Sequence, residues 1–321
     1  MFDPSPILAG DRRTLARLLT HIENADASAA EALAVLFANT GRAHRIGITG
    51  PPGCGKSSLV NALAKVLRRA GRTVAIIAVD PSSPFTGGAL LGDRLRMRDL
   101  AGDPGVFIRS TASRGALGGL ACTTADMVAA LDAAGFEKIL IETVGAGQAE
   151  VDIASAAQTV LVIEAPGLGD ELQASKAGIL EVADVVIVNK ADQPNAENTV
   201  RALRSALDLA QDQPAAQDQP AAPQTAIWRP LLLQTVATEG QGVEELAAAI
   251  ERHRDYLLSS GAMQRRERER LRRELATRVR DLLLEKLTTR LGQSHFEAAV
   301  EKMLARELDP GSAARQLAND P

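Results

Sequence analysis

A chain of 321 residues holds one large domain with extensions or two small ones, and 45% hydrophobic residues supply a substantial core. With only 2% aromatic residues, that core has to be built from Ala, Leu, Val and Ile. A formal charge of −4 provides no global attraction to nucleic acid or to an anionic membrane, so neither is expected as a partner.

Residues 1–44 read as an N-terminal helical arm, with Leu15, Leu18, Leu19 and Ile22 on one face and Leu33, Leu36 and Phe37 on another. Met1-Phe2-Asp3 lacks the basic-then-apolar order of a secretory signal, and no apolar run is long enough to span a membrane. Cys54 and Cys122 lack C-x-x-C spacing, which points to neither a disulfide framework nor a zinc site. A cytoplasmic location is the expectation.

From 45 to 255, apolar runs alternate with helical patterns. The strand candidates are 45–49, 73–79, 106–109, 138–141, 159–163, 185–189 and 231–236. Continuous apolar strands separated by helices mean an α/β fold with a parallel sheet covered on both faces. Ligands bind such a sheet at the carboxyl ends of its strands.

The first strand runs into Gly50-Pro51-Pro52-Gly53-Cys54-Gly55-Lys56-Ser57, an unbroken G-x-x-x-x-G-K-S phosphate loop followed by Ser58. Backbone N–H groups of such a loop, at a helix N-terminus, form a concave anion site. Lys56 is placed to reach the β- and γ-phosphates and the Ser57 hydroxyl to bind Mg2+. Gly50, Gly53 and Gly55 allow the backbone to approach phosphate oxygens where a Cβ would clash. Leu59–Leu67 continues with helical spacing, so the loop has the flanks this chemistry requires. The chain is expected to bind a nucleoside triphosphate. Cys54, inside the loop, reads in two ways: a reactive thiol activated by the helix N-terminus, or a buried inert one.

Three acids follow at strand ends or beyond. Asp80 ends the second strand, Asp93 lies 13 residues on, and Glu142 ends the strand at 138–141. Any one of them reads equally well as a turn or cap carboxylate. Together at one sheet edge they suit phosphoryl transfer, which needs Mg2+ held in place and the attacking water aimed. The expected division gives Ser57 direct contact with Mg2+, Asp80 and Glu142 its waters, and Asp93 the nucleophilic water. Gly145 is placed to meet the γ-phosphate through its N–H, as the sensor of a second switch. Further on, Asp170, Gln173 and Lys176 share one helical face, which is either functional or simply exposed charge. Lysine is scarce in this chain, with seven against 29 arginines.

The run Val182–Val188 ends in Asn189-Lys190-Ala191-Asp192, an N-K-x-D sequence at a strand's carboxyl edge. The Asp192 carboxylate can accept from the N1–H and 2-amino group of guanine, two donors that adenine lacks. Lys190 would lie along the base and Asn189 would brace the loop. A polar strand-to-helix turn is the plainer reading of the tetrapeptide alone, but after a phosphate loop it points to GTP and GDP.

Residues 211–223 contain Asp-Gln-Pro-Ala-Ala twice and read as a loop insertion without chemistry. The last region, 256–321, reads as a C-terminal helical arm. Gln264–Glu274 is almost all Arg and Glu, and Leu271, Leu275, Val279, Leu282 and Leu283 recur at helical spacing. Interleaved glutamates and absent aromatics argue against a nucleic-acid stripe. A solvated face with an apolar seam for dimerisation or docking is the stronger reading.

Taken together, the phosphate loop, Val-Asp-Pro-Ser-Ser-Pro-Phe-Thr-Gly-Gly-Ala-Leu-Leu-Gly-Asp-Arg, Gly-Ala-Leu-Gly-Gly-Leu, Ile-Glu-Thr-Val-Gly-Ala-Gly-Gln, Gly-Asp-Glu-Leu-Gln and Asn-Lys-Ala-Asp resemble the methylmalonyl-CoA mutase-associated GTPases of the MeaB/ArgK family. The resemblance covers nearly the whole chain. It implies a homodimeric GTPase domain flanked by helical arms. Its partner would be an adenosylcobalamin-dependent acyl-CoA mutase, with an adenosyltransferase as a further candidate. GTP binding and hydrolysis would gate cofactor loading and protect the mutase. Asp80, Asp93 and Glu142 match the family's metal-site acids. Asp170, Gln173 and Lys176 match its third switch, which couples mutase contact to hydrolysis, so Lys176 joins Lys56, Asp93 and Glu142 as a catalytic candidate. Cys54 and the tandem insert depart from the family pattern without touching an assigned ligand. The rival readings are a nickel-insertion-type metallochaperone GTPase, an ATP-dependent kinase of a transport system, and a targeting or scaffold G protein. The scattered histidines (21, 44, 253, 295) argue against the first, and Asn189–Asp192 against the second.

Overall fold

The computed structural model describes residues 2–81, 97–100, 102–113, 119–143, 156–167, 180–211 and 228–319. The tandem insert lies outside them. The chain divides into two compact units, Met1–Arg270 and Leu271–Pro321.

The first unit is built on seven strands, β1 His44–Thr49, β2 Val74–Pro81, β3 Val106–Ser113, β4 Lys138–Thr143, β5 Thr159–Glu164, β6 Val185–Asn189 and β7 Leu231–Thr235. They form one sheet in the order β3-β2-β4-β1-β5-β6-β7, and every pairing is parallel. All seven strands expected from the sequence are present. β2 and β3 run past their expected ends, pairing in register as far as Pro81 and Ser113. The polar tail of β3 is tolerated because an edge strand has a neighbour on one side only.

Every residue of β1, β4, β5 and β6 is buried, because helices cover both faces of the sheet. Side chains alternate between those faces with period two. Ile46, Ile48, Ile76, Leu140, Leu161, Ile163, Val185 and Ile187 pack on α4 (Lys56–Arg69) and α7 (Val243–Ser259), through Leu59, Leu63, Leu246 and Ile250. On the other face, Val160, Val162, Val186 and Val188 meet α6 (Ala196–Gln211) through Val200, Leu203 and Leu207. Also on that face, Ala75, Ile77, Ile139 and Ile141 meet α5 (Gly119–Ala133) and the N-terminal helices α1 (Ser5–Leu8), α2 (Arg12–Glu23) and α3 (Ala27–Leu36).

Residues 1–44 therefore bury Leu15, Leu18, Leu19, Ile22 and Leu36 in a core shared with β2 and β4. Asp11 starts α2 as its cap, accepting from the N–H groups of Arg13 and Thr14. Phe37 does not join the face of Leu33 and Leu36: the helix ends at Leu36 and tightens into a 3-10 turn, leaving the ring 61% exposed. The link into β1 is held by the Asp132 carboxylate, which accepts from the N–H groups of Gly41, Arg42 and Ala43.

Among the described residues the remaining α-helices are α8 (Ala262–Leu304), which departs from helical geometry at Gly292, and α9 (Pro310–Asn319). In the second unit Leu271, Leu275, Val279, Leu282 and Leu283 are all exposed. No helix among the described residues is long and apolar enough to cross a membrane.

Candidate nucleotide site

The strand order reverses at β1, which lies between β4 and β5 although the chain leaves it for β2. Such a switch point opens a crevice at the carboxyl ends of the strands. The phosphate loop sits there.

Its glycines are required by geometry. Gly50 has φ +146° and lies so close to the Ile163 carbonyl at the end of β5 that any Cβ would collide with it. Gly55 has φ +93° at the N-terminus of α4, and a Cβ there would run into the Asn189 amide. Gly53, also at positive φ, faces open space.

Lys56 is buried and its Nζ donates to the carbonyls of Gly50 (2.7 Å) and Pro51 (3.0 Å), so the ammonium is held over the mouth of the loop. The Ser57 hydroxyl donates to Glu142 Oε1 at 2.6 Å, and both residues are buried. A hydroxyl and a carboxylate side by side form a hard-oxygen donor set of the kind Mg2+ takes, so these residues fit that ion.

Asn189, 1% exposed, ties three segments together. Its amide nitrogen donates to the Cys54 carbonyl at 2.8 Å. Its oxygen accepts from the Thr235 hydroxyl at 3.0 Å and from the Ala237 N–H at 3.2 Å. Lys190 follows at φ +57°, with its stem beside Gly55, and Asp192 is exposed. The loop after β7 closes back through a bridge from Val236 to Gln241, and Thr238–Gly240 line a cavity of about 460 Å³ with Ser58 and Asn61 of α4.

Cys54 is fully buried. Burial pushes its thiol up to about 11, with the carboxylates of Glu164 and Glu142 adding to the rise and Lys56 opposing it. Of the two readings of this residue, the inert protonated thiol is the one that its surroundings favour: removal from water outweighs the helix N-terminus.

The family model described as methylmalonyl Co-A mutase-associated GTPase MeaB matches residues 15–291. The chain belongs to this family of P-loop GTPases. It is 45% identical over 305 residues to a GTPase of Pyrococcus abyssi, covering 95% of this chain and 91% of the relative. It is 30% identical over 323 residues to the mouse protein named methylmalonic aciduria type A homolog, mitochondrial, covering 96% and 76%. A solved structure described as an LAO/AO transport system kinase superposes with a TM-score of 0.73 at 26% identity, covering 98% of this chain and 95% of that one.

Of the residues assigned roles from sequence, Gly50–Ser58, Glu142, Asn189, Lys190 and Asp192 are described and lie on strand ends, on loops or in the first turn of α4 at this edge. Asp80 is in place at the end of β2, opposite Ala112, although its side chain is not described. Asp93, Gly145, Asp170, Gln173 and Lys176 lie outside the described residues. Three neighbours of the site were missed. Glu164 ends β5 as Glu142 falls one residue before the end of β4, and the signal is the same, a carboxylate at the end of an apolar run. Thr235 and Ala237 leave no comparable mark, since a threonine and an alanine after a strand are ordinary.

Proposed function

We propose that this MeaB-family protein is a GTP-hydrolysing chaperone that gates adenosylcobalamin loading, and protection, of a cobalamin-dependent acyl-CoA mutase. The observation that carries the nucleotide half is the Asn189 junction, which ties the N-K-x-D loop to the phosphate loop and to the segment after β7. A base and a triphosphate held by those two loops would share one frame. In this reading Gly50–Ser58 cradle the phosphates and Lys56 neutralises them. Asp192 selects guanine, and Ser57, Asp80 and Glu142 hold Mg2+ directly or through water. Asp93 aims the water and Gly145 senses the γ-phosphate. Bound Mg2+ supplies charge neutralisation at the phosphates; the chain itself supplies orientation and exclusion of water.

The mutase half is supported by family membership and by the names of the family and of its mouse relative. Asp170, Gln173 and Lys176 would form the segment that answers to the mutase. The exposed row Leu271, Leu275, Val279, Leu282 and Leu283 would be the homodimer seam. A second reading, an ATP-dependent kinase of a transport system, is favoured only by the description of the superposed structure. A carboxylate at Asp192 argues against it, because adenine offers no pair of donors to meet it.

Co-purification from the native cell, followed by assay of GTP hydrolysis with whatever mutase co-elutes, tests the proposal. Lys176→Ala should leave basal hydrolysis and GDP affinity near wild type while removing most of the partner-stimulated rate. Equal losses of basal and stimulated rate would make Lys176 an ordinary catalytic or folding residue, and full stimulation would remove it from the coupling.

A further inference from the structure

The strands that carry the nucleotide site at their carboxyl ends carry a second set of buried polar residues at their other ends. His44 opens β1, Lys138 opens β4, Thr159 opens β5, and Asp184 directly precedes β6. Across them lie Glu251 and His253 of α7, and all of these except Glu251 are 3% exposed or less. The contacts form a line. Arg266 of α8 donates to both Asp184 oxygens at 2.7 and 2.9 Å. Asp184 Oδ1 lies 3.2 Å from His253 Nε2, a charge contact without hydrogen-bond geometry. His253 Nδ1 is 2.8 Å from the Thr159 hydroxyl, which is 2.8 Å from His44 Nε2. His44 Nδ1 is 3.4 Å from Lys138 Nζ, and Lys138 pairs with Glu251.

The Lys138 end dictates the direction of every bond along the line. The Lys138 ammonium can only donate, so His44 Nδ1 must be bare and its proton must sit on Nε2. Thr159 joins the two rings. It accepts from His44 Nε2–H and gives its single hydroxyl hydrogen to His253 Nδ1, which must be bare. That leaves the His253 proton on Nε2, facing the Asp184 carboxylate, which is charge-paired with Arg266 and receives the Val160 N–H at 2.8 Å. No other assignment of neutral rings satisfies the Lys138 end.

We propose that Lys138, His44, Thr159 and His253 form a one-way hydrogen-bond relay that ends beside the Asp184 carboxylate, with both imidazoles neutral and protonated on Nε2, and that serves as an acid-sensitive clamp of α7 on the strand bases. Protonating His44 would place a new N–H against the Lys138 ammonium. Protonating His253 would aim a second donor at Thr159 and strand the hydroxyl hydrogen.

The charges around the relay set its sensitivity. His44 faces Lys138 from β4, Arg45 from its own strand, and Arg254 and His253 from α7, with Glu251 as the carboxylate on that side. Burial first, and then these cations, hold His44 well below the ordinary histidine range. His253 faces Asp184, Arg266 from α8, Tyr256 and Trp228. Glu267 of α8 neutralises Arg45. α7 begins at Val243, directly after the loop whose Ala237 N–H meets Asn189. The clamp thus acts on the helix that leads out of the base-side loop.

Trp228, the chain's one tryptophan, reports on this place, with its ring centroid 4.7 Å from that of His253. The test uses the full chain labelled with 15N, with imidazole nitrogen spectra and Trp228 emission followed from about pH 8 to about pH 4, through and below the usual histidine range. His44→Gln and His253→Gln assign the signals. At neutral pH both rings should show a protonated Nε2 and a bare Nδ1. On acidification His44 should take up its proton below the usual histidine range, with Trp228 emission changing as it does. Thr159→Val should uncouple Trp228 emission from His44, and Thr159→Ser should restore the link. A proton on Nδ1 of either ring at neutral pH overturns the proposal, as does a Trp228 response to His44 that survives Thr159→Val. The tautomers, read on the unmodified chain, decide the matter even where a variant is too unstable to purify.

Discussion

Asn189→Ala is the perturbation from which most can be learned at the candidate site. The side chain is buried and makes three hydrogen bonds, one given to the Cys54 carbonyl and two received from Thr235 and Ala237. Truncation strands up to three buried groups. Each costs roughly 1–3 kcal/mol when left unmade, and the Thr235 hydroxyl can turn to relieve part of the loss. A total of about 3–5 kcal/mol follows, a large share of the roughly 5–15 kcal/mol that holds a domain together. Thr235→Val removes one donor while the Ala237 N–H remains on the Asn189 oxygen, so it should cost only about 0.5–1.5 kcal/mol. The two variants share a bond, and the double mutant should fall short of additivity by about 1 kcal/mol. Urea unfolding without nucleotide gives all three values. Asn189→Asp keeps both accepting bonds but sets a buried carboxylate oxygen against the Cys54 carbonyl, so it should cost more than loss of that one bond. If Asn189→Ala costs less than about 1 kcal/mol, the loops do not lean on this residue.

Asp192→Asn should weaken GDP binding by roughly 1–3 kcal/mol and improve xanthosine diphosphate binding; unchanged GDP affinity by calorimetry would remove the base assignment. Cys54, buried with its thiol pushed up to about 11, should resist iodoacetamide at neutral pH with or without nucleotide, whereas the partly exposed Cys122 reacts. Mapping of the labelled peptides checks this, and labelling of Cys54 that GDP blocks would contradict it. His44 has its folded pKa lowered by burial and by neighbouring cations, so the unfolded chain binds the extra proton. Stability should therefore be unaffected above about pH 6.5, the ordinary histidine value, and fall as the pH drops below it. His44→Gln should flatten that slope at pH values above the range where Asp184 and Glu267 titrate, and an identical slope in the variant would show that His44 is not its source.

The central strands were legible because a strand buried on both faces is apolar through its middle. Val160–Ile163 of β5 and Val185–Val188 of β6 read that way in any frame. The phosphate loop was legible because its glycines answer a steric demand, seen at Gly50 against Ile163 and at Gly55 against Asn189. Periodicity showed that residues 12–36 are helical, but it could not say that Leu15 and Leu19 pack over Ile77 and Ile139, because any apolar face would serve. The end of β3 escaped notice because Ser110 and Thr111 look like loop residues until an edge strand accounts for them. The relay was hidden for the opposite reason. His44, Lys138, Thr159 and Asp184 are up to 140 residues apart, and each alone reads as a polar residue at a strand start. Only the parallel register brings them to one edge.

The central claim is that this GTPase answers to a cobalamin-dependent acyl-CoA mutase, and the most direct measurement is turnover of GTP and of ATP with and without that mutase. Hydrolysis of GTP should be slow alone and rise by roughly 10³–10⁵-fold if the partner completes the charge stabilisation that a G protein lacks by itself. ATP should be turned over poorly in both conditions. A GTP rate indifferent to the mutase, or an ATP rate equal to it, would contradict the account.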